Sequence, residues 1–311
     1  MHVRNQLTNG QFVAKIEGQG NVGHLFWYSI QNVKITREEL EQKMIVSQVD
    51  TVHLPNPIRP SDAFRRATQE LKRTKVPTFE GNVYLNYLTR EVTTDTQLIQ
   101  RNVVIERVDR AGKKLAYDTE VVKILLNKSN NTVTYESTST DLLAKHLAEE
   151  AKERYEQYKE LYDSQNIRQF VGKVLDTMAT TSVRASGGVY FVPCTYDGQL
   201  MNLASLINDL ADSTATCIPL FNIKSSHEMV NRQIAEDMKK AIYTCETIVS
   251  KPGVTKAALK EAMANAKKIA QTYNEYKAIL DLQTEVLDSK VNDLRLNVVG
   301  IIDKLASLKS K

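Results

Sequence analysis

NVYLNYLT (82–89), RNVVIERV (101–108), LAYDTEVVKILL (115–126) and TVTYES (132–137) decide the fold class. Each run is rich in β-branched and aromatic residues, and the turn sequences Asp109-Arg110-Ala111-Gly112 and Lys128-Ser129-Asn130-Asn131 separate the last three. Runs of this kind joined by such turns form an antiparallel meander. Upstream, QFVAKIE (11–17) and HLFWYSI (24–30) are two more β-like runs, joined by Gly18-Gln19-Gly20-Asn21-Val22-Gly23. Two helices follow before the meander. Thr36 with Glu39 makes a capping box for the first. Ser61 caps the second, SDAFRRATQELKRT, which stops before Pro77.

At residue 140 the character changes. Thr140 opens a charged helix to about Ser164, and a second helix carries Ile167, Phe170, Val171, Val174 and Leu175. GGVYFVPC (187–194), an amphipathic helix over 200–210 and ATCIPLFNI (215–223) form a β-α-β pattern whose crossover length suits parallel pairing. Everything beyond Ser225 is helical. Val230, Ile234, Met238, Ile242, Cys245 and Val249 form one stripe, and Pro252-Gly253 ends it. A longer helix from about Thr255 to 309 carries apolar residues at 273, 276, 280, 287, 291, 294, 298, 301, 305 and 308, with Gln283 filling one expected position. Steps of three and four are the heptad spacing of a coiled-coil seam. The expected fold is α+β: an antiparallel β-meander domain (1–139), a helical pair with a β-α-β unit (140–224), and a long C-terminal antiparallel helical hairpin, or coiled coil (225–311).

Composition narrows the class. Of 311 residues, 42% are hydrophobic and 25% charged, so the chain is globular rather than disordered or fibrous. No run near 18 residues is free of charge, which argues against a membrane span. The N-terminus is too polar for a signal peptide. The net charge is +4, and the excess lies in residues 1–140. Cys194, Cys217 and Cys245 sit in apolar runs without a CxxC pair, so a reducing cytoplasm is expected, with no disulfide framework.

Catalytic signatures are weak. Gly18-x-Gly20-x-x-Gly23 has a nucleotide-loop spacing, but a strand-like run follows it where a dinucleotide fold needs a helix. His146 and Glu149-Glu150 share a helix face without a second histidine, so no metal site follows. No GxSxG elbow or P-loop occurs, and no cofactor is called for. Two binding features remain. Arg59, Arg65, Arg66, Lys72 and Arg73 cluster on the second helix and could meet phosphates, with Tyr84, Tyr87, Arg90, Arg101 and Arg107 on the meander tempting a base-stacking reading. The C-terminal seam is the stronger feature. A helix over 226–249 covers only half of a helix over 255–309, leaving Leu287, Val291, Leu294, Val298, Ile301, Leu305 and Leu308 to pack inside the chain, on a second copy, or on a foreign protein.

Gly23-His24-Leu25-Phe26-Trp27-Tyr28-Ser29-Ile30, Leu54-Pro55-Asn56-Pro57-Ile58-Arg59-Pro60-Ser61-Asp62-Ala63-Phe64-Arg65-Arg66-Ala67 and Arg184-Ala185-Ser186-Gly187-Gly188-Val189-Tyr190-Phe191-Val192-Pro193 resemble an uncharacterised family carried by tailed bacteriophages and prophages. The likeness runs from about residue 20 to 220 and leaves out the C-terminal seam. It implies a phage or mobile-element origin and carries no activity or catalytic residue. The functional expectation is a non-enzymatic accessory protein that binds another macromolecule, most simply protein, with the coiled coil as scaffold or oligomerisation arm. The alternative is a nucleic-acid-binding protein using the basic helix.

Overall fold

A computed structural model describes residues 20–137, 139–184, 188–279 and 284–307. In chain order the elements are β1 (Asn21–Ile30), β2 (Lys34–Thr36), α1 (Arg37–Val46), α2 (Pro60–Gln69), β3 (Arg73–Pro77), β4 (Val83–Thr94), β5 (Leu98–Asp109), β6 (Lys114–Asn127) and β7 (Thr132–Ser137). They continue with α3 (Leu142–Tyr158), β8 (Leu161–Asp163), α4 (Ser164–Asp176), β9 (Thr181–Ser182), β10 (Tyr190–Pro193), α5 (Asp197–Asn208), β11 (Ser213–Phe221), α6 (Lys224–Ser250), α7 (Lys256–Ile279) and α8 (Thr284–Ser307). The fold is α+β, and among the described residues every strand pair is antiparallel. The described residues divide into two compact units: one holds those up to Val33, Glu41–Leu54 and those from Ser164 on, and the other those of Lys34–Leu40 and Pro55–Asp163.

The Pro55–Asp163 unit contains the meander as a five-stranded sheet, β3-β4-β5-β6-β7. Alternation along β5 and β6 puts Ile99, Val103, Val122, Ile124 and Leu126 on one face, where α2 and α3 cover them with Phe64, Leu147, Ala151 and Tyr155. Phe64 meets Tyr155 edge to face at 6.5 Å between ring centroids, and the buried Tyr155 hydroxyl donates to the Asn131 carbonyl at 2.8 Å. Asp141 caps α3 by accepting from the Ala144 amide at 2.9 Å. The helix at 61–74 expected from sequence is shorter. Pro60 rather than Ser61 starts it, because the proline ring presets helical φ at the first position. Arg73–Pro77 leave the helix and form edge strand β3, where a proline is tolerated.

The other unit has a four-stranded sheet, β11-β1-β10-β9, with α5 packed on it. The expected β-α-β unit exists, but β10 and β11 are not hydrogen-bonded neighbours. β1 lies between them and runs antiparallel to both, pairing Phe26 with Cys217 on one side and His24 with Val192 on the other. The expected strand at 11–17 lies outside the described residues. Gly23 stands in β1 where a Cβ would come 2.3 Å from the Val192 carbonyl oxygen, so the strand contact itself requires glycine there.

The C-terminal region is a three-helix bundle, not a long rod. Tyr273 and Tyr276 at the end of α7 pack with Leu287 and Val291 at the start of α8, while Leu259, Ala262 and Ala266 pack with Leu294 and Ile301. α7 and α8 therefore run antiparallel, with α6 contributing Val230, Ile234 and Met238 to one cluster and Ala241 and Cys245 to the other. α6 and α8 run parallel. The Lys304 ammonium of α8 donates to the carbonyls of Ile248, Val249 and Lys251 at 2.6–2.8 Å and so caps the C-terminus of α6, where the helix dipole favours a cation.

Candidate functional site

The basic residues are placed one by one. Arg59 Nε bonds Asp62 at 2.7 Å, Arg65 Nε bonds Glu91 at 3.1 Å, and Arg73 Nη2 bonds Glu150 at 2.9 Å. Arg66 reaches Glu70 at 3.3 Å and Asp163 at 2.7 Å, with its guanidinium 4.0 Å from the centre of the Tyr158 ring. Arg154 joins the same network through Glu70 and Glu150. Each of the four arginines thus faces a carboxylate, and the stripe is a network of ion pairs that ties α2 to α3, β4 and β8. Only Lys72 of the five lies exposed and outside this network among the described residues. On the meander Tyr87, Arg101 and Arg107 are engaged, whereas Arg90 is exposed and in no ion pair among the described residues, and Tyr84 is half-buried. The Tyr87 hydroxyl donates to Asp141 at 2.8 Å; burial, and then this hydrogen bond to a carboxylate, hold that phenol well above its ordinary range. Arg101 donates to the Arg65 carbonyl and to Thr68 at 2.9 and 2.7 Å, and Arg107 pairs with Glu80.

The residues weighed for catalysis disperse. His146 is exposed, while Glu149 accepts from Tyr135 at 2.9 Å and Glu150 belongs to the arginine network. Among the described residues no group of three His, Cys, Asp or Glu is arranged to hold a metal ion. The buried His24 has Nδ1 3.0 Å from Asp197 Oδ1, but off the line of a hydrogen bond, so neither atom is satisfied by the other. Burial, with the Asp197 carboxylate nearby, pushes the Cys217 thiol up to about 11 and raises Cys194 in the same way; burial raises Cys245 too. All three are neutral thiols at physiological pH, the opposite of an activated nucleophile.

Sequence reasoning offered the C-terminal seam as an interaction stripe. Leu287, Val291, Leu294 and Ile301 are buried, and Val298 and Leu305 are half-buried against them; Leu308 lies outside the described residues. These positions pack on α6 and α7 of the same chain. The surplus that a 24-residue helix could not cover disappears because the chain folds back on itself.

What α8 offers outward is a different set. Leu296, Val299 and Ile302 are 70%, 53% and 47% exposed. At 100° per residue they span one 120° sector of the helix, centred on Val299. One turn to either side of Val299 on the same sector stand Arg295 and Asp303, both exposed, and neither is in an ion pair among the described residues. In the sequence these three stand among the apolar residues of the C-terminal half, off the heptad positions that the seam uses.

The bundle also encloses a polar cleft. Asp237, Lys240 and Thr244 line it from α6, Lys268 and Thr272 from α7, and Thr181 from β9, with Ile234, Ala241 and Ile269 as an apolar wall, around a cavity of about 250 Å³. Nothing in the sequence marks these residues as a group.

Residues 21–308 match the Family of unknown function (DUF6744), and the chain belongs to that family. The match runs through the three C-terminal helices, which the resemblance drawn from sequence left out. No curated protein and no solved structure matches the chain. Among the described residues no helix is long and apolar enough to cross a membrane.

Proposed function

We propose that this member of DUF6744 is a non-enzymatic binding protein whose C-terminal bundle is an association arm, and that its first partner is a second copy of itself docked through the outer face of α8. One observation carries the reading: the arrangement around Val299. In an antiparallel pair with its two-fold axis at Val299, residue 299+k of one copy meets 299−k of the other. Leu296 then meets Ile302 twice over, and Arg295 meets Asp303 twice over, so a self-complementary patch arises from one helix. Apolar contact at the centre with a charged rim is the usual anatomy of such a surface. A single helix face is small, below about 1,200 Å² in total, which corresponds to a weak and reversible dimer.

The phage or prophage setting and a host-cytoplasmic site of action belong to the same reading. They rest on the resemblance of Gly23–Ile30 and Leu54–Ala67 and on the unpaired cysteines. Nucleic acid is the less favoured partner, since Glu91, Glu150 and Asp163 already answer the arginines it would need.

Charge reversal tests the two-fold. By sedimentation equilibrium the wild-type chain forms a dimer with rising concentration. Arg295→Asp or Asp303→Arg alone places like charges opposite each other twice and weakens it, and the double variant restores it with reversed polarity. A chain that stays monomeric at every concentration, or a double variant no better than either single one, overturns the proposal.

A further inference from the structure

The polar cleft of the bundle carries a second, independent conclusion. Lys268 crosses its wall to form an ion pair with Asp176, so its charge is matched within the fold. Asp237 is half-buried and accepts one hydrogen bond, from Gln233 Nε2 to Oδ1 at 3.0 Å, and burial pushes its carboxyl upward. Lys240, three residues along the same helix, has no ion-pair partner within 4 Å among the described residues. Residues at this spacing are neighbours on the helix surface, about 5–6 Å apart at Cβ. Around them stand the buried Thr181 and Thr272 and the exposed Thr244; the Thr244 hydroxyl already donates to the Lys240 carbonyl at 2.8 Å and the Thr181 hydroxyl is hydrogen-bonded to Tyr276, so these two oxygens remain as acceptors.

Two charges of opposite sign therefore line one cavity, coupled through space but with no direct ion pair between them, the Lys240 side chain being exposed to solvent. A bare anion on Lys240 would sit against Asp237, and a bare cation on Asp237 would sit against Lys240. An apolar guest would add nothing to the single hydrogen bond that the half-buried Asp237 carboxylate accepts and would cover Lys240 without a counter-charge, which is costly. The geometry points to a binding site for a small zwitterion of free-amino-acid size, with its ammonium on Asp237 and its carboxylate on Lys240. An ammonium and a carboxylate carried on one carbon match neighbouring charges of this spacing. A cavity of about 250 Å³ lies just under the usual range for ligand pockets, which sets the guest at a few non-hydrogen atoms beyond the backbone of an amino acid.

Isothermal titration of the full chain with glycine, L-serine, L-threonine and L-glutamate tests this, with acetate, methylammonium and glycerol as fragments carrying one charge or none. At least one amino acid should bind saturably, and each fragment at least about tenfold more weakly, the loss of one charged hydrogen bond. Asp237→Asn and Lys240→Gln, both close in shape to the native residues, should each weaken the amino acid about tenfold or more while leaving circular dichroism unchanged. Saturable binding that survives both substitutions, a fragment that binds as tightly as the amino acid, or no saturable binding by any of the four amino acids overturns the assignment. Dimerisation through Val299 is unaffected by either substitution, so failure of one reading is separable from failure of the other.

Discussion

Leu294→Ala separates a seam packed inside one chain from a seam between chains. Leu294 is 1% exposed and packs among Ala241, Cys245, Leu259, Ala262, Ala266 and Ile301. Four of those six neighbours are small, so α6, α7 and α8 approach closely there. Leu-to-Ala substitutions at such sites cost about 3–5 kcal/mol, the transfer term plus a cavity term that grows when the walls cannot collapse. For a unit of this size, 1 kcal/mol moves the melting midpoint by about 2–4 °C, so a drop of about 10 °C is expected. Urea denaturation followed by far-ultraviolet circular dichroism reads the helices directly. Because the contact is internal, the difference between wild type and variant stays constant when protein concentration changes tenfold. Were the seam an intermolecular contact, mass action would shift that difference by up to about 1.4 kcal/mol per decade. A loss below about 1 kcal/mol, or a difference that moves with concentration, refutes the internal bundle.

Other outcomes follow from the same geometry. Gly23→Ala forces a Cβ to within 2.3 Å of the Val192 carbonyl oxygen, and the β1–β10 contact must open; a loss of about 1–3 kcal/mol in the thermal unfolding of that unit is expected. Lys304→Met keeps the apolar stem but removes the ammonium from three carbonyls at the end of α6, costing about 0.5–2 kcal/mol and raising amide exchange at Lys251. Asp288 accepts from Lys277 and from the Tyr273 hydroxyl, which hold its carboxyl below the ordinary value of 3.8. A lowered folded pKa contributes stability that is complete above about pH 4 and lost as pH falls through the folded value, so acid titration of Asp288→Asn should show a shallower decline than wild type below that pH. Unchanged acid limbs in the two proteins would show that the contact contributes nothing.

The local grammar of the sequence was well legible. The reciprocal capping box appears as expected, with the Thr36 amide donating to Glu39 at 3.0 Å and the Glu39 amide to Thr36 at 3.2 Å. The four long meander strands lie where alternation and turn residues put them. What failed is what depends on distant chain. β1 enters between β10 and β11 from some 160 residues upstream, and no crossover rule reveals an intervening strand. Asp62 and Glu70 answer Arg59 and Arg66 locally, but the carboxylates that complete the arginine network, Glu91, Glu150 and Asp163, come from farther along the chain and leave no trace in the spacing of the basic residues. The seam shows a sequence trace of its reversal: polar Gln283 stands at an expected apolar position and lies between α7 and α8, outside the described residues. Periodicity reports that a face is buried, not which helix buries it.

The self-complementary patch on α8 is the centre of this account, and cysteine cross-linking tests it most directly. In the antiparallel pair Val299 faces its own copy, so Val299→Cys joins two chains under mild oxidation without lowering the melting temperature. Asn292→Cys serves as control, because each copy's residue 292 lies opposite 306 of the other, about 21 Å along the helix from its twin. Ready dimer formation by Val299→Cys and little by Asn292→Cys is the predicted result. Equal cross-linking at both positions, or none at Val299→Cys, would contradict it.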